Sequence, residues 1–193
     1  RTPLWSAEHL TRTSLVQARE IKRKDAFHAD ENIPSDQRAE LSDYARSGYD
    51  RGHMSPAADM PSEESQHQSF SLANIVPQDR EHNQILWSAI EGATRHLVNQ
   101  RGELFIITGK IENPAAIPYS HIQIKGTLIT KGKVKAKTQT AFCGNIISEE
   151  ILKTGNIMDI TQQLATREGS HNSNVNVKPG GFVPFMIVFS DLP

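Results

Sequence analysis

The stretch that most constrains the fold runs from residue 70 to residue 108, because it reads as strand, helix, strand without interruption. Phe70-Ser-Leu-Ala-Asn-Ile-Val76 has strand character, with Phe70, Leu72 and Asn74 on one face. Pro77 is expected to end it, since proline cannot donate to a ladder. Asp79 then suits a helix N-cap, and Leu86, Ile90, Ala93 and Leu97 recur at helical spacing. Gly102 breaks that helix before a second apolar strand, Glu103-Leu-Phe-Ile-Ile-Thr108.

The flanks extend the same mixture. Residues 4–16 can supply a strand and a turn, and residues 27–49 read as loop with one short helix around 37–45. Residues 122–130, 134–143 and 183–189 are strand-like. No repeat, linker or composition break divides the 193 residues, so a single domain over 1–193 with an α+β fold is expected. No run of about 18 apolar residues occurs, so no membrane partner is expected, and the first residues lack the apolar stretch of a signal peptide.

Cysteine chemistry is excluded early. Cys143 is alone, which rules out an intramolecular disulfide and a cysteine-cluster zinc site, and its apolar neighbours suit a small core residue. The net charge of -1 argues mildly against a nucleic-acid partner, but the charge is unevenly spread. Lys125, Lys131, Lys133, Lys135 and Lys137 fall in one stretch without an acid. That stripe fits phosphate contact by Lys133 and Lys135, or a strand edge protected against aggregation.

Two clusters carry chemistry. In Tyr49-Asp-Arg-Gly-His-Met-Ser-Pro56, Arg51 and His53 are two apart, so an extended chain points both to one side. A neutral imidazole can activate water near neutrality, and a guanidinium beside it can grip a phosphate. In the helical segment, Asn83 offers a carboxamide oxygen to a hard cation, with Glu91 two turns later on the same broad side. Gly-x-Ser-x-Gly, a glycine-rich phosphate loop and His-Glu-x-x-His are all absent.

Taken together, Asp50-Arg-Gly-His-Met-Ser-Pro-Ala57, Leu72-Ala-Asn-Ile-Val-Pro-Gln78 and His82-Asn-Gln with Trp87 and Glu91 resemble the DNA/RNA non-specific endonuclease family. The resemblance is dense from residue 43 to residue 91, and Thr108-Gly109 adds to it. It implies a ββα-metal fold with a mostly antiparallel sheet flanked by helices, acting on DNA and RNA with Mg²⁺ (or Mn²⁺). His53 would be the general base, Asn83 the metal ligand and Arg51 a phosphate contact. Glu91 would act through water on the ion, and Asn74 would orient the histidine. An upstream arginine is also implied. Arg23 is chosen because it would share a strand face with Phe27, with Arg19 as the alternative. The products would carry 5′-phosphates. The resemblance suggests a secreted or periplasmic protein, with mitochondria as the alternative, and leaves a homodimer open. Two other readings stay open on sequence: a binding module without activity, and a phosphodiesterase acting on small molecules.

Overall fold

The computed structural model describes residues 2–145, 147–154 and 156–190, apart from the side chains of residues 82, 85, 86, 149, 152 and 153. Its centre is a three-stranded antiparallel sheet in the order β1 (Trp5–Thr11), β4 (Glu103–Glu112), β7 (Phe182–Phe189). β4 pairs on both sides, with Ile106 opposite Glu8 on β1 and Val188 on β7. β7 is nearly continuous in apolar residues because both of its faces are covered. One face of the sheet, through Leu10, Ile106 and Val188, packs on α4 (Ser88–Arg101), whose Ile90, Ala93, Leu97 and Val98 are buried. The other face is covered at β7 by a second hairpin, β5 (Gln123–Ile129) with β6 (Lys135–Phe142). There a side chain at Gly126 would press on Ile187 and Phe189 at 3.0 Å, so glycine sets how closely the layers meet.

The helices start where side chains satisfy their free amides. Thr11 and Ser14 cap each other reciprocally at the start of α1 (Arg12–Glu20). α2 (Leu41–Tyr44) falls inside the loop, and its Tyr44 hydroxyl donates to the Ile75 carbonyl at 2.9 Å. That bond seats a small second core of Ala39, Tyr44, Leu72, Ile75 and Phe27. Two short helices, α5 (Glu149–Thr154) and α6 (Ile157–Leu164), complete the fold beside α4 and β7. Cys143 is fully buried in the main core, and burial pushes its thiol up to about 11. The α+β architecture and the antiparallel pairing agree with the reading of the sequence.

The 70–78 stretch differs from expectation. Phe70 closes a helix, α3 (Glu63–Ser69), which the sequence reading missed, and residues 72–74 form a 3₁₀ turn whose Ala73 amide bonds to the Ser71 hydroxyl. The strand is β3 (Ile75–Gln78), paired with β2 (Asp50–His53) and containing Pro77. Proline is tolerated because the Met54-to-Asn74 bond and the register leave Pro77 opposite Arg51 in a non-hydrogen-bonded pair. The helix expected from Asp79 starts there, the Asp79 carboxylate accepting from the Glu81 amide at 2.9 Å. It then widens into a π-helical turn over His82–Trp87 before α4. Ile90, Ala93 and Leu97 are buried as expected, and the Leu86 and His82 side chains lie outside the described residues.

Candidate active site

β2 is short, and its alternation sorts the motif onto two faces. Arg51 and His53 share one. The Arg51 guanidinium lies 4.3 Å over the Phe27 ring, and the His53 ring is 5.6 Å from Phe27 and 4.9 Å from Phe70, edge-on to the latter. Phe27 and Phe70 themselves meet edge to face at 4.9 Å. Arg23 stacks over Phe70 at 5.4 Å. Two phenylalanines far apart in sequence thus form the platform that gathers His53, Arg51 and Arg23. Their part in the site went unread, because nothing in an isolated Phe separates platform from core.

His53 is only 9% exposed, and its Nε2 is buried without a hydrogen-bond partner among the described residues. Burial lowers its pKa to about 4, the Arg23 charge adds to this, and Asp25 partly offsets it. The imidazole is therefore neutral, with an unsatisfied nitrogen, which is an unusual and costly arrangement in a buried site. Arg23 also bonds Asp25 at 2.7 Å and is near enough to Glu91 to favour its ionised form. Its charge thus acts on both His53 and Glu91. Arg23 sits in irregular chain rather than on the strand face expected, and it meets Phe27 through Phe70. Arg19 is exposed in the last turn of α1.

Asn74 does not orient the imidazole directly. Its Oδ1 accepts from the Ser55 amide, and its Nδ2 donates to the Ser55 and Ser69 carbonyls, all at 2.9 Å. It fixes the backbone leaving His53 instead, because the carboxamide matches a free amide and carbonyl there. Asn83 sits in the π-helical turn. Its Nδ2 donates to Asp50 Oδ2 at 3.3 Å, beside Gln84 Nε2 at 2.9 Å. Asp50 lies three residues before His53 on β2, so its bond to Asn83 ties the π-helical turn to the strand that carries His53. The Asn83 and Gln84 bonds, and then Arg80, hold the Asp50 carboxyl below its usual range.

A hard cation would find two oxygen donors here, the Asn83 carboxamide oxygen and the Asp50 carboxylate, which suits Mg²⁺. Among the described residues no group of three or more His, Cys, Asp or Glu is placed to hold an ion. Any ion at Asn83 would then have to complete its shell with water and phosphate.

Glu91 is not a solvated helix position. Its Oε2 is 3.3 Å from Arg95 Nη2, and Arg95 Nε bonds Asp59, which is 3% exposed. Burial raises the Glu91 pKa, Arg95 opposes this, and Asp59 adds to it. Asp59 and Arg95 were missed, although Arg95 one turn after Glu91 is a readable signal. Among the lysines, Lys125, Lys131, Lys133 and Lys135 are exposed, whereas Lys137 Nζ donates to the Ser190 carbonyl. Their hairpin covers the sheet face opposite α4, so the structure does not bring them to Glu91.

Comparisons with known proteins agree with one another. Residues 1–145 match the family described as DNA/RNA non-specific endonuclease. "Nuclease EXOG, mitochondrial" from Danio rerio is 36% identical over 140 residues, covering 72% of this chain and 40% of that protein. "Mitochondrial nuclease" from Saccharomyces cerevisiae is 38% identical, covering 61% and 36% respectively. The chain therefore spans well under half the length of these relatives. Among solved structures, "Crystal structure of the EndoG/EndoGI complex: Mechanism of EndoG inhibition" superposes with a TM-score of 0.50 at 27% identity, covering 75% of this chain and 61% of that one.

Proposed function

The chain belongs to the DNA/RNA non-specific endonuclease family, and on that premise we propose that it hydrolyses phosphodiester bonds within DNA and RNA regardless of base sequence. The observation that carries this reading is the cluster of one neutral, partnerless imidazole with two guanidiniums on the Phe27–Phe70 platform. Arginine forks suit phosphate oxygens, and a neutral imidazole suits a proton taken from water.

In the proposed reaction Arg51 and Arg23 hold the non-bridging oxygens of the scissile phosphate. His53 Nε2 takes the proton of the attacking water. Asn83 and Asp50 would hold Mg²⁺ or Mn²⁺, which when bound neutralises charge on the phosphoryl oxygen and the departing 3′ oxygen. Water as nucleophile leaves the ribose 2′-hydroxyl without a role, so both DNA and RNA are cut. Phosphate contacts carry no direct sequence information. Glu91 and Arg95 brace the start of α4 behind this site. Two relatives named as mitochondrial support a mitochondrial location over a secreted one, and no helix among the described residues is long and apolar enough to cross a membrane.

Plasmid and single-stranded RNA incubated with Mg²⁺, with and without EDTA, test the proposal directly. Cleavage of both, abolished by EDTA and leaving phosphatase-sensitive 5′ ends, is expected. A protein that cleaves a dinucleotide ester but neither polymer would refute it.

A further inference from the structure

Three carboxyl groups from three elements line a cavity of about 30 Å³: Glu8 on β1, Asp59 on the 3₁₀ turn Ala57–Asp59, and Glu91 on α4. That space admits a water or two and no ligand. One guanidinium serves the group. Arg95 directs Nε to Asp59 and Nη2 to Glu91, and among the described residues no cation lies within ion-pair distance of Glu8. The remaining walls, including Met54, Pro56, Trp87, Ile90, Ile106 and Met186, are mostly apolar. A third anion in such a setting lacks compensation. The Ser55 side chain is near enough to Glu8 to favour its ionised form. Ser55 follows His53 by two residues, and Asn74 clamps its backbone on both sides.

We propose that Glu8 is a positioning residue of the nuclease site: from the edge strand it joins Ser55, on the chain leaving His53, to the Asp59–Arg95–Glu91 network at the start of α4. It links the two elements that carry the site, β2 and α4, through the edge strand of the central sheet. Burial, then the charges of Asp59 and Glu91, raise its pKa to about 8, while Ser55 and Arg95 act in the opposite sense. Ionisation above that pH places an uncompensated charge among these groups and loosens the connection.

The inference rests on the nuclease reading, so its test has one arm that needs no activity. In the first arm, kcat and KM for plasmid cleavage are followed from pH 6 to pH 10 in the parent, Glu8→Gln and Glu8→Ala. The parent kcat should fall above about pH 8. Glu8→Gln keeps a neutral hydrogen-bonding group, so it should stay within a few-fold of the parent at pH 7 and lose that alkaline fall. Glu8→Ala should lower kcat roughly 10-fold or more with KM little changed, as removal of a supporting partner does. Superimposable alkaline limbs for parent and Glu8→Gln would overturn the proposal. If Glu8→Ala does not fold, the Gln comparison decides alone. In the second arm, thermal unfolding is followed with pH. A raised carboxyl pKa contributes stability that is complete below about pH 4.5 and is lost up to about pH 8. The parent Tm should therefore fall over that window relative to Glu8→Gln, and parallel curves would overturn the proposal. A parent that cuts nothing would refute the nuclease reading while leaving this second arm intact.

Discussion

His53→Phe separates what this imidazole does for the fold from what it does for catalysis. The ring sits edge-on to Phe70 and tilted against Phe27, so phenylalanine fits the site in shape and in ring geometry. The native imidazole stands to lose stability in acid. Its pKa falls from the ordinary histidine value of 6.5 to about 4 in the fold, so the unfolded chain takes up a proton first. The contribution is complete above pH 6.5 and is lost as pH falls through 4. That difference corresponds to roughly 3 kcal/mol when fully expressed, and to about 2 kcal/mol at pH 5. His53→Phe has no proton to take up. Relative to the parent it should therefore gain about 2 kcal/mol between pH 7.5 and pH 5, or roughly 4–8 °C in Tm for a chain of this length. It should cut no DNA at any pH. Scanning calorimetry at pH 7.5, 6, 5 and 4 gives the first readout and plasmid nicking the second. In the parent, the acid limb of kcat/KM should lie nearer 4 than 6.5, since that parameter reports the free enzyme. Equal acid destabilisation of parent and variant would show that His53 is not held neutral by burial, and residual cleavage would remove it as the base.

Other expectations follow from single contacts. Arg95→Met leaves Asp59 and Glu91 buried without their cation, which should cost about 3–5 kcal/mol. Urea denaturation at pH 7 and pH 4.5 should show part of that loss recovered in acid as the carboxylates protonate. Asn83→Ala should abolish cleavage while far-ultraviolet circular dichroism is unchanged. Asn83→Asp should tighten Mn²⁺ binding in calorimetry because it adds a carboxylate beside Asp50. Gly109→Ala should lose about 1–3 kcal/mol, since its Cβ would meet the Leu4 carbonyl at 2.6 Å and Phe185 at 2.7 Å. Gly52→Ala should lose less, because the obstacle is the flexible Gln78 side chain. Replacing Lys131, Lys133 and Lys135 with Gln should flatten the dependence of log affinity on log salt if they meet phosphates. An unchanged slope would assign them to edge protection.

Much of the architecture is legible in the chain itself. The strands around 103–108, 122–130, 134–143 and 183–189, the capped helix after Asp79 and the core fate of Cys143 follow from periodicity, turn residues and apolar runs, all local properties. So does the pairing of Arg51 with His53, because residues two apart in an extended chain must share a face whatever surrounds them. The family is readable for a similar reason: its motifs lie in one window and keep their order. Where the reading failed, packing beyond the local chain decided. Alternating apolar residues at 70–76 suited a strand, but Phe70 and Leu72 are buried from a helix end and a 3₁₀ turn, and the strand starts only where β2 supplies a partner. Asn74 was placed beside the imidazole, yet its carboxamide met a free amide and carbonyl one step along the backbone. Besides the local Arg95 and Asp25, Asn83, Glu91 and Arg23 each depend on a neighbour remote in sequence. Asp50, Asp59 and Phe70 come to them only through sheet register and burial, which no local pattern encodes. The neutrality of His53 belongs to the same class, because a pKa follows from what surrounds a group in space, and here that is two phenylalanines and an arginine from two separate segments.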